Sequence, residues 1–262
     1  MNRLFCLSAG AALMLTCNVA VAADTCTKIV MTGHPQYPAI AFKDGDAIVG
    51  AAPSLVSAIA KDLNVPLEAK SMGTWAEAQQ AAHDGKADMI VGIYFNDERA
   101  AFLDYVQPAF MYDPVVAFVA KDKKFDYKGQ DDLIGKKGAT NQGESYGNEF
   151  DAFIKDKLDV ARTDGIDDAL NDLVAGKVDY VIAGYYPGIA EAARLGLKDK
   201  VEALEPGLLS AEMFVAFSKK SPCASLAPKF GEGITAMTTD DRFRQMLVKA
   251  MADWDAAQAP KP

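Results

Sequence analysis

The chain has 262 residues, 27 of them basic and 36 acidic, for a formal net charge of −9. Such an acidic surface is poorly suited to neutralising nucleic-acid phosphates. Near-average proportions, 50% hydrophobic and 24% charged residues, predict a well-packed globular chain rather than a disordered one.

The first 22 residues read as a secretory signal peptide. Arg3 supplies the positive end, Leu4 to Cys17 the apolar run and Ala20-Val21-Ala22 a small-residue cleavage site. A membrane-spanning helix needs about 20 apolar residues, and this run is shorter and meets the polar Asn18. Thr16 and Met14 before Cys17 fit a lipid-attachment pattern poorly. Arg3 is the only charge in this stretch, so cleavage leaves 26 basic and 36 acidic residues, a net charge of −10, on a mature chain expected in the periplasm. Its length, roughly 240 residues, suits two lobes of about 120 each. Two cysteines survive cleavage, Cys26 before the first strand and Cys223 after the apolar run MFVAFS. In an oxidising compartment they are expected to form one disulfide.

Strands and helices then alternate: TKIVMT, a helix PSLVSAIAKDL opened by Pro53, PLEAKS, a helix from Thr74 to Asp84, and ADMIVG. This is the βαβ rhythm of an open α/β sheet. Thr74 and Glu77 stand in capping-box relation, and Gly85 falls where a left-handed helix end is wanted. GKADMIVGIY at 85–94 returns as GKVDYVIAGY at 176–185, which predicts two halves built alike. In the second copy Asp164 is the expected cap, Ile166, Ala169, Leu170, Leu173 and Val174 share one face, and Gly176 ends the helix. PVVAFVAK at 114–121 and MFVAFSKK at 213–220 read as strands beside two crossings between lobes, which would form a hinge. The division expected is residues 1–22 as signal peptide, 23–110 with 212–262 as the first lobe, and 111–211 as the second. Helices from Ala224 to Met237 and from Asp240 to Trp254 complete the first lobe, and the tail AQAPKP is expected to fray.

Catalytic signatures are thin. Gly143-Glu144-Ser145-Tyr146-Gly147 spells the G-x-S-x-G of a hydrolase elbow, but both histidines, His34 and His83, precede the serine, and that family places its histidine after it. Two scattered histidines and no calcium-loop spacing offer no metal site. Gly231-x-Gly233-x-x-Ala236 falls inside a helix with no strand before it, so it is not a dinucleotide fingerprint.

TGHPQYPAIAF, GTWAEAQQAAHDGKADMIVGIYFNDER, DYVQPAFMYDPVVAFV and GKVDYVIAGYYPG together resemble the periplasmic amino-acid-binding proteins of ABC importers, the bacterial extracellular solute-binding proteins of family 3. The likeness covers essentially the whole mature chain. It implies an α/β periplasmic-binding-protein-like fold, with two lobes joined by a two-strand hinge and a ligand cleft between them. It further implies that Arg99 pairs with the ligand's carboxylate, a task suited to a planar guanidinium. Tyr37 and Trp75 would sandwich a flat or cationic ligand group, and Gly92 and Tyr94 would touch its polar end. Glu144 and Ser145 would reach the carboxylate from the opposite side, with capping of the helix in YGNEFDAFI as Ser145's other reading.

One departure bears on the ligand. The family holds the ligand's ammonium with an aspartate where this chain has Gly184, so either the ligand lacks an α-amino group or another acceptor replaces that carboxylate. The replacements considered are Glu144 and the hydroxyls of Tyr185 and Tyr186. The function implied is capture of a small carboxylate-bearing solute by a monomer that needs no cofactor and delivers to a membrane permease or sensor. Two alternatives are a periplasmic dehydratase of the cyclohexadienyl type with Glu144 as its acid, and an accessory protein without transport.

Overall fold

The computed structural model describes residues 26–258. The expected signal peptide, Cys17 and the last four residues of the AQAPKP tail lie outside the described residues.

The chain enters through strand β1 (Ile29–Gly33) and a small antiparallel sheet of β2 (Gln36–Tyr37), β3 (Ala41–Asp44) and β4 (Ala47–Val49). Helix α1 (Ala51–Asp62) begins two residues before the expected Pro53, which sits in the first turn. A proline is harmless there because that turn's N–H groups have no intrahelical acceptor. After β5 (Leu67–Ala69), helix α2 (Trp75–Asp84) carries the expected capping box and ends on Gly85 at φ 78°. It turns the chain into β6 (Met89–Tyr94), buried along its length. A single turn of helix, α3 (Asp97–Ala100), and β7 (Leu103–Tyr105) follow.

The long strand β8 (Met111–Ala120) leads to β9 (Lys137–Asn141), α4 (Asn148–Lys157), β10 (Asp159–Thr163), α5 (Ile166–Val174), β11 (Tyr180–Gly184), α6 (Tyr185–Arg194) and β12 (Val201–Ala203). The second long strand, β13 (Leu209–Ser218), returns the chain to α7 (Ala227–Thr239) and α8 (Arg242–Gln258). Both long strands start earlier than the apolar runs suggested. Their first halves pair with each other, Met111 with Met213 and Val115 with Leu209. This pairing satisfies the backbone of residues whose side chains carry no strand signal. Asp164 is not the cap of α5: Gly165 holds that position without a side-chain bond. Asp167 and Asp168 instead supply the negative charge that a helix start favours.

The sheet runs β10-β9-β11-β8-β13-β6-β1-β5, with two α/β lobes at either end of the β8–β13 hinge. β13 pairs with β8 through Leu209–Met213 and with β6 through Met213–Phe217. β8 pairs with β11 through Val115–Phe118.

The repeated motif has one physical role in both halves. Asp88 donates its N–H to the carbonyl of Val30, and its Oδ2 accepts the N–H of Val30 at 2.8 Å. Asp179 does the same with Lys137, its Oδ2 lying 2.8 Å from that nitrogen. In each case a carboxylate completes the ladder at the start of a parallel pair, where a backbone acceptor would otherwise be missing. Cys26 and Cys223 form the expected disulfide, with Cα atoms 4.6 Å apart. It ties the approach to β1 to the turn before α7.

Candidate functional site

The carboxyl ends of β1, β6, β9 and β11 converge on one cleft, the side of an α/β sheet where exposed loops can meet a ligand. From one side it receives His34, Tyr37, Trp75, Tyr94 and Arg99, and from the other Asn141, Glu144 and Ser145.

Arg99 is 3% exposed. Asn96 fixes its backbone by capping α3, with Oδ1 accepting the Arg99 N–H at 2.7 Å. The guanidinium donates from Nε to Gln79 Oε1 at 2.8 Å and from Nη1 to the Tyr94 carbonyl at 3.0 Å. From Nη2 it crosses the cleft to the carbonyl of Gly143 at 2.9 Å. Gln79 donates to the same carbonyl at 3.0 Å. Burial pulls the arginine's pKa downward, while the nearby Glu144 opposes the shift. The Trp75 ring lies 5.6 Å from the guanidinium carbon and 4.9 Å from the His34 ring, so it stands in the cleft. It also packs within its own lobe over Ala78, Ile90 and Ile93.

The opposite wall is held to this one by polar bonds. Asn96 donates to Ser145 Oγ at 2.6 Å, and Asp97 donates its N–H to Asn148 at 3.0 Å. Ser145 Oγ in turn donates to Asp151, so the hydroxyl is spent on protein partners, neither of them a histidine. Nor does it cap α4, where Gly147 occupies the N-cap. His34 Nδ1 accepts the Gln36 N–H at 2.9 Å, which leaves Nε2 to carry the ring proton toward Glu144 Oε1 at 3.1 Å. Asn141 also lies 2.9 Å from Nε2. A proton on Nε2 favours turning that amide so that its oxygen faces the ring.

The floor contains a residue that sequence reasoning missed. Asp113, on the hinge strand β8, is 1% exposed. Its Oδ2 accepts from Tyr94 at 2.6 Å and from Tyr37, whose hydroxyls lie 2.5 Å apart. Its Oδ1 has no partner. Desolvation raises the carboxyl pKa, the tyrosine bonds oppose the rise and Glu144 adds to it. The native state therefore holds this proton more readily than the unfolded chain. The group's contribution to stability declines as pH climbs from the ordinary carboxylate range through the raised value. Burial also drives the pKa of Tyr37 and Tyr94 well upward, keeping both hydroxyls as donors. The one cue in the sequence was an acid directly before an apolar strand run.

Gly184 lies beside this cluster. A Cβ there would overlap the Tyr37 hydroxyl and lie 2.7 Å from Asp113 Oδ2. Gly184→Asp is accordingly expected to lower the unfolding free energy by at least about 2 kcal/mol, through steric overlap and a second buried carboxylate. Thermal denaturation checks this, and an unchanged midpoint would show that the cluster yields easily. Tyr185 and Tyr186 are not brought to the cleft lining: they open α6 at the surface, Tyr185 being 37% exposed. Gly92 adopts φ 71° opposite the β-bulge at Phe214/Val215 and faces Ile40 and Met213. Its role in the fold is that bulge.

Between the walls, Tyr37, Asn141, Glu144 and Gly184 help enclose a cavity of about 10 Å³, room for roughly one water. A solute reaches it only when the walls part. Among the described residues no group of three or more histidine, cysteine or acidic side chains could hold a metal, and no helix is long and apolar enough to cross a membrane.

A family model described as bacterial extracellular solute-binding proteins, family 3, matches residues 29–252. Among solved structures, the substrate binding protein of an amino acid ABC transporter is 24% identical at a TM-score of 0.67, over 86% of this chain and 99% of that one. The amino acid ABC transporter substrate-binding protein AbpA from Streptococcus pneumoniae Canada MDR_19A, bound to L-arginine, is 21% identical at a TM-score of 0.73, over 90% and 97%. A histidine kinase sensor domain with similarity to periplasmic binding proteins is 24% identical at 0.73, over 86% and 96%.

Proposed function

The chain belongs to the bacterial extracellular solute-binding proteins, family 3, and from that membership we propose that it captures a small carboxylate-bearing solute in the periplasm for an ABC importer. Solute binding follows from the family; the carboxylate, the importer and the residues involved are the proposal. One observation carries it: a buried guanidinium, Arg99, reaches across the cleft to the Gly143 carbonyl. A solute carboxylate can take over such donors with charge-assisted bonds stronger than those to neutral carbonyls. Binding and closure are then one event, since a ligand stabilises the closed form by as much as it prefers it.

Tyr37, Trp75 and Tyr94 would line the remainder of the solute's seat, with Glu144 and Ser145 shaping the facing wall. The lobe division proposed with this reading is residues 23–110 with 212–262, and 111–211. The signal peptide at 1–22 would direct a monomer to the periplasm, and the closed form would dock a membrane permease. The dehydratase alternative needs Glu144 as a proton donor, whereas here its Oε1 faces the His34 nitrogen left to carry the ring proton. That geometry favours capture without chemistry. A thermal-shift screen with amino acids and organic acids tests the proposal. At a ligand concentration a hundredfold above Kd, linkage stabilises the protein by about 2.7 kcal/mol. A flat response across both classes would defeat the reading.

A further inference from the structure

We propose that Asp113 is the seat for a cationic group of the solute, an organic ammonium or guanidinium set apart from its carboxylate. This deepens the capture reading above and rests on it.

The geometry is that of an anion lacking a counter-charge. Asp113 is buried at 1% exposure, two tyrosine hydroxyls occupy Oδ2, and Oδ1 has no partner. Buried carboxylates are ordinarily paired or fully hydrogen-bonded, because each unsatisfied oxygen carries a desolvation penalty. The small cavity lined by Tyr37, which bonds Asp113, and by Gly184 offers further acceptors, with Glu144 and Asn141 in its lining, and neither lysine nor arginine. Arg99 does not neutralise this end. Its donors go to Gln79, the Tyr94 carbonyl and Gly143.

Gly184 explains why the charge comes from the hinge. With no side chain there, the space that a Cβ would fill is taken by the Tyr37 hydroxyl, with Asp113 Oδ2 only 2.7 Å from it. An aspartate at 184 would start from a Cβ directed at these same two groups, so Asp113 and Tyr37 occupy the room that such a side chain would need.

Tyr94 sets the spacing between the two charges. Its carbonyl accepts from Arg99 and its hydroxyl donates to Asp113, so the two charged groups sit at opposite ends of one tyrosine residue. The two charges of an α-amino acid head group are only two bonds apart. A solute that spans both seats must therefore carry its cation on a chain. The walls must part to admit it, and the tyrosine hydroxyls can remain as donors to Oδ2 while Oδ1 receives the cation's N–H.

The test is calorimetric titration of the purified full mature chain with L-arginine, L-lysine and 5-aminopentanoate, each beside a nitrogen-free acid of matched chain length, pentanoate being the partner of 5-aminopentanoate. In the wild type at least one cation-bearing probe should bind about tenfold or more tightly than its nitrogen-free partner, the factor expected of one charge-assisted bond. In Asp113→Asn the difference should fall below about threefold, while thermal denaturation shows a folded protein at an equal or higher midpoint. A merely structural aspartate would not change the preference between partners.

Equal binding of both members of every pair by the wild type would overturn the cation seat, and so would a preference that persists in Asp113→Asn. Binding of nitrogen-free acids alone would overturn it while leaving solute capture intact. Silence from every probe, of either class, would overturn both. The wild-type comparison decides the matter even where the variant fails to fold.

Discussion

Arg99→Ala should weaken binding of the cognate solute by about a hundredfold or more, measured by calorimetry on protein whose fold is verified by circular dichroism. The guanidinium is buried, and three of its N–H groups already point at acceptors around one space. A carboxylate entering that space can meet two donors at once. Each charge-assisted bond is worth about 1.5–3 kcal/mol, and 1.4 kcal/mol is tenfold in affinity. Arg99→Lys should recover only part of the loss, since an ammonium is a point charge and cannot form the planar fork. The variant should also lose stability, because the Tyr94 and Gly143 carbonyls give up buried donors. Unchanged affinity in Arg99→Ala would remove the carboxylate clamp, and with it the residue assignments that depend on it.

The second large effect concerns stability. Replacing Cys26 and Cys223 by serine together should lower the unfolding free energy by about 2–5 kcal/mol, read from chemical denaturation with and without reductant. The two residues are 197 apart in sequence. The chain-entropy account gives the greatest stabilisation to links closing long loops, though measured gains vary. Cys223 is fully buried, with its Sγ 3.4 Å from the Lys28 carbonyl, so the added hydroxyls must also find partners. Solute affinity should change little, because neither cysteine lines the cleft. A double variant as stable as the parent would show that packing around Ile29 and Phe230 alone holds β1 to the C-terminal helices.

Local chemistry accounts for what could be read from the residues and what could not. Helix α2 was legible because Thr74, Glu77 and Gly85 act within one short segment, and each carries its own conformational preference. The echo of GKADMIVGIY in GKVDYVIAGY was legible because Asp88 and Asp179 repeat one backbone task. Arg99 was legible as a cleft residue only through resemblance. Nothing in its spacing announces that Tyr94, Gln79 and Gly143 will surround it.

Asp113 was hidden for two reasons. Aspartate and proline are both poor strand formers, so the strand appeared to start at Pro114, yet its pairing with β13 begins at Met111. The partners Tyr37 and Tyr94 lie 76 and 19 residues away along the chain, and no periodicity reports such convergence. Ser145 shows the converse, a residue plain in the sequence whose bonding partners are not. Its motif was conspicuous, but Asn96 and Asp151 occupy the hydroxyl.

The double pairing of β13 governs how the molecule can move. Because the strand is stitched to β8 along its first half and to β6 along its second, the pivot is a sheared ribbon rather than a slack tether. A hydrogen-bonded ribbon can bend across its flat face but cannot slide without breaking ladder bonds, so any parting of the walls would follow that bend. On the capture reading, the shut form would then offer a docking partner one outer relief, whichever cargo lies inside.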